Sequence, residues 1–125
     1  MQADNANGPV LTAVDLSRVF GSGDTAVTAL SGISLTVQQG DFLAVTGRSG
    51  SGKTTLLNLL SGLDSPTTGT VHFHGDDLEN LRESDLVEMR RHKIGFVFQS
   101  FGLMPLLSAQ ENVELPLHIG GASWR

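Results

Sequence analysis

The sequence predicts an α/β fold in which a pair of antiparallel strands precedes a parallel sheet with helices. Three observations support this fold class. Two β-branched segments separated by a glycine-rich turn come first, and an apolar segment then leads through a second glycine-rich stretch into a leucine-rich helix. Hydrophobic residues make up 39% of the chain and glycines number 15, which is typical of a folded domain with tight turns rather than of a disordered chain.

The first third of the chain predicts a tail and two strands. Residues 1–9 are polar and predict a disordered tail, so the folded domain is expected to cover residues 10–125. Strands are predicted at residues 10–14 and 33–37, where β-branched residues stand between turn formers. The glycine-rich stretch at residues 21–24 predicts a turn between these strands.

The middle of the chain predicts a strand, a helix and a further strand. Residues 42–46 are almost entirely apolar, which is typical of a strand buried on both faces of a sheet. Leucines at helical spacing predict a helix over residues 53–61, and Gly62 is placed to end it. A loop at residues 65–69 then leads into a strand at residues 70–74.

The last part of the chain predicts two helices separated by a strand. The first helix is expected around residues 83–91, and residues 94–98 form an apolar segment that predicts the strand. The second helix is predicted over residues 108–115. Ser108 can act as its N-cap and Glu111 follows three residues later, which is the pattern of a capping box.

Charge and composition exclude several classes of function. The chain carries eight Lys and Arg against thirteen Asp and Glu, a net charge of −5, so we expect no nucleic-acid partner. It contains no Cys, which excludes disulfides and thiolate metal sites. No apolar run approaches the roughly 20 residues that cross a bilayer. The polar start is unlike a signal peptide, and the two observations together predict a cytoplasmic location.

The glycine-rich stretch before the leucine-rich helix carries the clearest motif. Gly47-Arg48-Ser49-Gly50-Ser51-Gly52-Lys53-Thr54 matches G-x-x-x-x-G-K-[ST] in full, which predicts the core of a P-loop NTPase. The glycines let backbone N–H groups point inward, where they and the positive end of the helix can bind phosphate. Lys53 is expected to contact the β- and γ-phosphates, and Thr54 to offer its hydroxyl to Mg²⁺. The alternative is a glycine-rich turn with an exposed lysine.

Three stretches of the sequence together carry a family resemblance. They are residues 16–30, the phosphate loop at residues 47–55, and residues 94–101 with the segment that follows as far as Val113. Over residues 10–120 the chain resembles the ATP-binding subunits of ABC transporters, and in particular those that serve macrolide export and lipoprotein release. The third stretch resembles the glutamine loop of that family and is more specific to it than the phosphate loop is.

The resemblance implies a role for each residue of a site for ATP and Mg²⁺. Phe20 would stack on adenine, where the family usually has Tyr; the alternative is an edge contact of the leading sheet. Gln99 would hold Mg²⁺ together with Thr54 and would orient the attacking water, while Lys53 would stabilise charge on the phosphates. The alternative for Gln99 is a solvated side chain at a strand end. The implied nucleotide-binding residues are Phe20, Gly47, Ser49, Gly50, Ser51, Gly52, Lys53, Thr54 and Thr55.

The resemblance also implies two protein partners. A membrane permease would dock on the surface between Phe101 and Asn112, and a second ATP-binding subunit, expected to be a second copy, would complete the site. The protein would then lie in the cytoplasm on the inner face of the cell membrane, held there through the permease. The apolar residues of the docking segment could equally be core of the subdomain. They are Phe101, Leu103, Met104, Leu106 and Leu107.

Part of the machinery of this family is not found in the 125 residues. The sequence contains neither the Leu-Ser-Gly-Gly-Gln signature nor an apolar run that ends in Asp-Glu, and the switch histidine is not identifiable. The sequence therefore predicts a domain truncated before the signature motif. It would bind nucleotide weakly with negligible turnover, whereas the complete domain would hydrolyse ATP to power transport.

Two other functions remain as alternatives. One is a different P-loop enzyme, a small-molecule kinase or a GTPase, although two strands and an aromatic segment precede the loop here and the guanine-reading Asn-Lys-x-Asp motif does not occur. The other is an assembly module that binds nucleotide without hydrolysing it. Phosphate transfer to an added small acceptor, or equal binding of GTP and ATP, would favour the first of these.

Overall fold

The computed structural model describes residues 8–100 and 102–123. The chain divides between Leu81 and Arg82 into two compact units, each with its own secondary structure. Within the described residues, the first unit contains a four-stranded sheet with one α-helix and the second unit contains two α-helices. Residues 1–7 of the predicted tail lie outside the described residues.

The sheet of the first unit is entirely antiparallel within the described residues. Its strands are β1 (Leu11–Phe20), β2 (Val27–Val37), β3 (Thr68–Phe73) and the short β4 (Asp76–Asp77). Their order across the sheet is β2-β1-β3-β4, so β1 pairs with a neighbour on both edges. The pairing of β1 with β2 runs from Leu11 opposite Val37 to Phe20 opposite Val27, and a 3₁₀ turn at Gly23–Thr25 joins the two strands.

The strands predicted at residues 10–14, 33–37 and 70–74 are confirmed, although the first two are much longer than expected. The sequence pattern marked only their most β-branched ends. The strands continue through polar residues, because the cross-strand hydrogen bonds join backbone groups and do not depend on the side chain of the residue. The predicted turn at residues 21–24 is also confirmed, shifted towards Thr25.

Helix α1 (Lys53–Leu60) follows the glycine-rich loop and packs against β1 and β2. Leu56, Leu59 and Leu60 are buried, and their spacing of three and four residues places Leu56 with both others on one face of the helix. Leu16 of β1 is fully buried in the same core. Each buried leucine contributes about 1.5–3 kcal/mol relative to an exposed one. The helix that the leucine spacing predicted is therefore held by its apolar face.

The end of α1 is a Schellman motif centred on Gly62. The N–H of Gly62 donates to the carbonyl of Leu59 at 3.1 Å, and the N–H of Leu63 donates to the carbonyl of Asn58 at 2.9 Å. Gly62 has a φ of 67°, the left-handed conformation that this motif requires and that glycine adopts without steric cost. The predicted helix end at Gly62 is confirmed.

The second unit contains α2 (Glu83–Lys93) and α3 (Ala109–Ile119), which confirms both predicted helices, although they continue past their predicted ends at residues 91 and 115. The Ser108 hydroxyl accepts from the N–H of Glu111, and the Glu111 carboxylate accepts from the N–H of Ser108, so the predicted capping box is present. Asn112 joins the preceding loop to α3, because its side chain bonds to Met104 N–H and to the Leu107 carbonyl. Among the residues that the structure describes, none of the helices has both the length and the apolar character of a membrane span.

Two predicted strands are wrong for this structure. Neither residues 42–46 nor residues 94–98 pair with a neighbouring strand within the described residues, so the expected parallel sheet is not formed there. Phe42 is 96% exposed, which also contradicts the expected burial of the strand at residues 42–46, and Val97 in the other segment is fully exposed. Apolar character favours burial, but a strand requires a partner that supplies hydrogen bonds, and the sequence pattern does not reveal whether one is present.

Candidate nucleotide-binding site

The glycine-rich loop enters α1 through Gly52, which is the N-cap of the helix. Gly52 has φ 89° and ψ 6°, and its carbonyl accepts the first helical hydrogen bond, from the N–H of Leu56 at 2.8 Å. The first four N–H groups of a helix have no partner within it, and they carry the positive end of the helix dipole. The loop therefore leads directly to a set of donors suited to an anion.

Close packing explains why the loop requires glycine at Gly52. A methyl group on Gly52 would lie 2.5 Å from the carbonyl oxygen of Ala29 and 2.9 Å from the side chain of Leu30, both on β2. A methyl group on Gly47 would lie 2.5 Å from the hydroxyl of Ser51. The first contact is with backbone and cannot relax cheaply, so Gly52 fixes how closely the phosphate loop approaches the sheet.

The ammonium of Lys53 lies against the oxygens of its own loop. Its Nζ donates to the carbonyl of Gly47 at 2.8 Å, to the carbonyl of Arg48 at 2.7 Å and to the hydroxyl of Ser51 at 3.3 Å. The N–H of Ser51 in turn donates to the Arg48 carbonyl at 3.1 Å, which tightens the loop. The ammonium that the motif predicted is thus held within the loop, and Lys53 is half-buried at the first position of α1.

Two threonines follow Lys53 in the first turn of α1. Thr54 is exposed and Thr55 is half-buried. An exposed hydroxyl next to the loop fits Mg²⁺, which prefers oxygen ligands and keeps several of its waters. The structure therefore brings most of the predicted site residues together in one loop and one helical turn. They are Gly47, Ser49, Gly50, Ser51, Gly52, Lys53, Thr54 and Thr55.

Phe20, the predicted adenine platform, is the last residue of β1 and is 43% exposed. It pairs with Val27, which lies two residues along β2 from Ala29, the residue whose carbonyl Gly52 approaches. Two residues of a strand span about 7 Å, and neighbouring strands lie about 5 Å apart. Phe20 and the phosphate loop therefore lie at the same end of the sheet.

The sequence motifs give no role to Arg18 and Asp64, although Arg18 contacts the ring of Phe20 and Asp64 pairs with Arg18. The guanidinium carbon of Arg18 lies 4.6 Å from the centroid of the Phe20 ring, and its Nη2 lies 2.8 Å from Oδ1 of Asp64. Side chains two residues apart on a strand point to the same face, so Arg18 could have been found from its spacing to Phe20. Asp64 is 46 residues from Arg18, and no local pattern indicates the pair.

Gln99, the predicted water-orienting residue, belongs to the second unit. It is exposed and lies in a bend that follows the unpaired segment at residues 94–98. In that segment the rings of Phe96 and Phe98 stack with centroids 5.6 Å apart and planes 5° apart. Gln99 and the phosphate loop belong to different units, and the role of Gln99 stays a prediction.

The predicted permease-docking segment also belongs to the second unit, and Phe101 lies outside the described residues. Leu103, Met104 and Leu106 are 62%, 53% and 98% exposed, respectively, and Leu107 is half-buried. The docking role of these residues stays a prediction.

Comparison with known proteins decides the family. Residues 30–125 match the family model of the ABC transporter. The chain belongs to the ABC transporter family. Among the similar proteins are the macrolide export ATP-binding/permease protein MacB of Hyphomonas neptunium, with 46% identity over 113 residues, and the lipoprotein-releasing system ATP-binding protein LolD of Geobacter metallireducens, with 47% identity over 112 residues. Each alignment covers 90% of this chain, but only 18% of MacB and 50% of LolD.

Solved structures of ABC cassettes share the fold. A dimeric, post-hydrolysis state of the ATP-binding cassette MJ0796 bound to ADP and Pi aligns with a TM-score of 0.82 at 39% identity. The alignment covers 92% of this ABC transporter chain and 50% of the cassette. The predicted family and the predicted fold class, a P-loop NTPase with an antiparallel N-terminal sheet, are confirmed. The chain thus spans about half of this cassette and of LolD.

Proposed function

We propose that this ABC transporter chain binds Mg-ATP at the phosphate loop and that ATP hydrolysis by the complete domain powers transport through a membrane permease. The observation that carries the proposal is the loop itself. Gly52 is the N-cap of α1 and has a left-handed conformation. Lys53 is the first residue of the helix, and its ammonium bonds to the carbonyl of Gly47. Membership of the family and the ADP and Pi bound to the similar cassette support a nucleotide as the ligand.

The triphosphate would bind to the loop and the first turn of α1. Uncapped N–H groups at the helix N-terminus would donate to phosphate oxygens, and Lys53 would exchange its loop oxygens for the β- and γ-phosphates. Both kinds of contact are charge-assisted, and they stabilise the charge that develops during phosphoryl transfer. Ser49, Gly50 and Ser51 would form the wall of the loop around the phosphates.

The base of the nucleotide would stack on Phe20. Its ring is partly exposed at the end of the sheet where the phosphate loop lies. A purine and a phenyl ring stack through their faces, so the hydroxyl of the Tyr that is usual in the family is not needed. Thr54 and Gln99 would hold Mg²⁺, which neutralises phosphate charge when it is bound. The amide of Gln99 would also orient the water that attacks the γ-phosphate.

Two partners are proposed for the complete protein. A second copy of the ATP-binding subunit would close the site, and the dimeric structures of the similar cassette support this arrangement. A membrane permease would contact the exposed apolar side chains of Leu103, Met104 and Leu106. MacB is named an ATP-binding/permease protein, which supports a permease partner. These contacts would hold the protein on the inner face of the cell membrane.

The Lys53→Ala substitution tests the phosphate site directly. Titration of the 125-residue chain with Mg-ATP should show an affinity at least about tenfold lower for the variant, because a charge-assisted hydrogen bond to phosphate is lost. Lys93→Ala is the matched control, since Lys93 ends α2 in the other unit, and its affinity should equal that of the parent. An unchanged affinity for Lys53→Ala would show that the assignment of this lysine is wrong.

A further inference from the structure

The guanidinium of Arg18 is held in place from two sides. Its carbon lies 4.6 Å over the ring of Phe20, and its Nη2 bonds to Asp64 at 2.8 Å. The side chains of Arg18 and Asp64 are only 24% and 30% exposed, respectively, and Nε of Arg18 is buried without a hydrogen-bond partner in the described structure. An arginine that was merely solvated at the surface would not be enclosed in this way.

The position of Asp64 links this arginine to the helix of the phosphate loop. Asp64 follows the Schellman end of α1, and the N–H groups of Leu63 and Asp64 both donate to the carbonyl of Asn58, at 2.9 and 3.3 Å. The backbone of Asp64 is therefore fixed to the helix whose first residue is Lys53. Through Asp64 and Arg18, the ring of Phe20 is connected to the same rigid element that carries the phosphate-binding residues.

The ring of Phe20 needs such support because it has no polar group of its own. It stands at a strand end, is 43% exposed, and has no hydroxyl with which a neighbour could fix its orientation. A cation over one face of the ring restrains its rotation and leaves the opposite face for a second flat group. A platform that is oriented before binding loses less side-chain freedom when the ligand arrives.

We infer that Arg18 is a positioning residue for the nucleotide base: it orients Phe20 for stacking, and Asp64 holds Arg18 in place. The inference rests on the proposed function, because it presumes that a base stacks on Phe20. Arg18 itself does not contact the phosphates in this scheme. Its loss should therefore weaken ligands that carry a base and leave ligands consisting of phosphate alone unchanged.

The test compares two ligands, Mg-ATP and magnesium tripolyphosphate, on variants of the 125-residue chain. For Arg18→Gln the Kd of Mg-ATP should rise about 2- to 5-fold, the effect of losing an exposed cation–π contact, and the Kd of tripolyphosphate should not change. Asp64→Asn should show the same selectivity with a smaller effect, since Arg18 is then less firmly held. Arg82→Gln is the matched control: Arg82 is also paired to a carboxylate, that of Asp85, but lies in the second unit.

Each remaining outcome overturns the inference. Equal losses of affinity for both ligands would mean that Arg18 and Asp64 contribute only to the general stability of the fold. An unchanged ATP affinity in Arg18→Gln would mean that Arg18 does not orient the ring, and a higher one that Arg18 covers it. Phe20→Ala separates this failure from a failure of the proposed function. If Phe20→Ala weakens Mg-ATP selectively while Arg18→Gln and Asp64→Asn do not, only the positioning role is lost. If Phe20→Ala is also without selective effect, stacking on Phe20 is wrong as well.

Discussion

Among single residues, Gly52 has the strictest steric requirement in the site. Its left-handed conformation begins α1, and its α-carbon faces the backbone of β2 at Ala29. The sheet and the phosphate loop therefore touch through a residue without a side chain. Lys53, the next residue, can reach back to the loop because the chain turns sharply at this point.

Replacement of Gly52 by Ala should destabilise the first unit more than the same change at Gly40. Both glycines have positive φ values, 89° and 85°, and this alone costs about 1–2 kcal/mol for a residue with a side chain. A methyl group at Gly40 has nothing within 4 Å, whereas one at Gly52 meets the Ala29 carbonyl. Urea unfolding of the two variants measures the difference. Equal losses of stability would contradict the steric role of Gly52.

The stacking role of Phe20 can be tested with one substitution that removes the aromatic ring and one that keeps it. Phe20→Ala should weaken Mg-ATP by about 1–3 kcal/mol, the contribution of one base stacked on an aromatic ring, and should change magnesium pyrophosphate binding little. Phe20→Tyr should bind both ligands as the parent does. Phe42→Ala removes another exposed ring and serves as the control. Equal losses of ATP and pyrophosphate would make Phe20 a structural residue of the sheet.

Helices α1 and α3 are stabilised by motifs at their ends, and α1 also buries an apolar face. The Schellman motif ends α1, and the capping box of Ser108 and Glu111 begins α3. Hydrogen bonds from Ser108 lower the pKa of the Glu111 carboxyl below its ordinary value, because they stabilise the charged form. Pro116 lies within α3 and donates no backbone hydrogen bond, and the side chain of Asn112 adds hydrogen bonds to the Leu107 and Ser108 carbonyls at the start of that helix.

Acid should loosen the start of α3 through Glu111. The pKa of this group is lower in the folded state than in the unfolded state, so its contribution to stability is present above the unfolded value, about 4.3, and is lost as the pH falls through the folded value. Amide exchange of the first turn of α3, followed from pH 6 down to about pH 3, should show the loss.

The Glu111→Gln variant is the control for this pH dependence. Glutamine keeps an acceptor oxygen for the N–H of Ser108 but does not titrate, so exchange in the first turn of α3 should depend less on pH. Ser108→Asp should also retain the cap, because aspartate is among the best N-cap residues. An acid response that is the same in the parent and in Glu111→Gln would assign the effect to another group.

The whole molecule exposes apolar side chains in both of its units. Phe42 in the first unit and Val97 and Leu106 in the second have at least 96% of their surface accessible. Isolated exposed residues of this size need no explanation, but several in apolar segments are typical of surfaces that contact further protein. This agrees with the proposed second copy and permease.

The 125-residue chain should bind Mg-ATP without measurable hydrolysis. Its sequence contains the phosphate loop and Gln99 but no Asp-Glu pair after an apolar run and no signature motif, and phosphoryl transfer depends on positioning by several groups together. The rate of phosphate release by the parent chain should equal that of Lys53→Ala, whereas the parent should bind Mg-ATP more tightly than the variant. Release clearly above the rate of Lys53→Ala would show that the chain is catalytically competent.

Local signals in the sequence determined the phosphate loop, the helices, the end of α1 and the start of α3. The motif at residues 47–54, the leucine spacing before Gly62 and the pair Ser108 and Glu111 all act over at most a few turns of chain. Their partners are near neighbours in sequence, so the pattern contains both halves of each interaction. The turn of the hairpin formed by β1 and β2 was also predicted from local sequence, although the lengths of the two strands were not.

Only the tertiary structure decided which apolar segments become strands and what surrounds Phe20. Residues 42–46 and 94–98 have strand-like sequences but no pairing neighbour in the described structure, and the ion pair of Arg18 and Asp64 joins residues far apart in the chain. The physical reason is the same in both cases. A strand edge and a charged side chain are each stabilised by a partner brought from a distance, and composition or periodicity around one residue does not identify that partner.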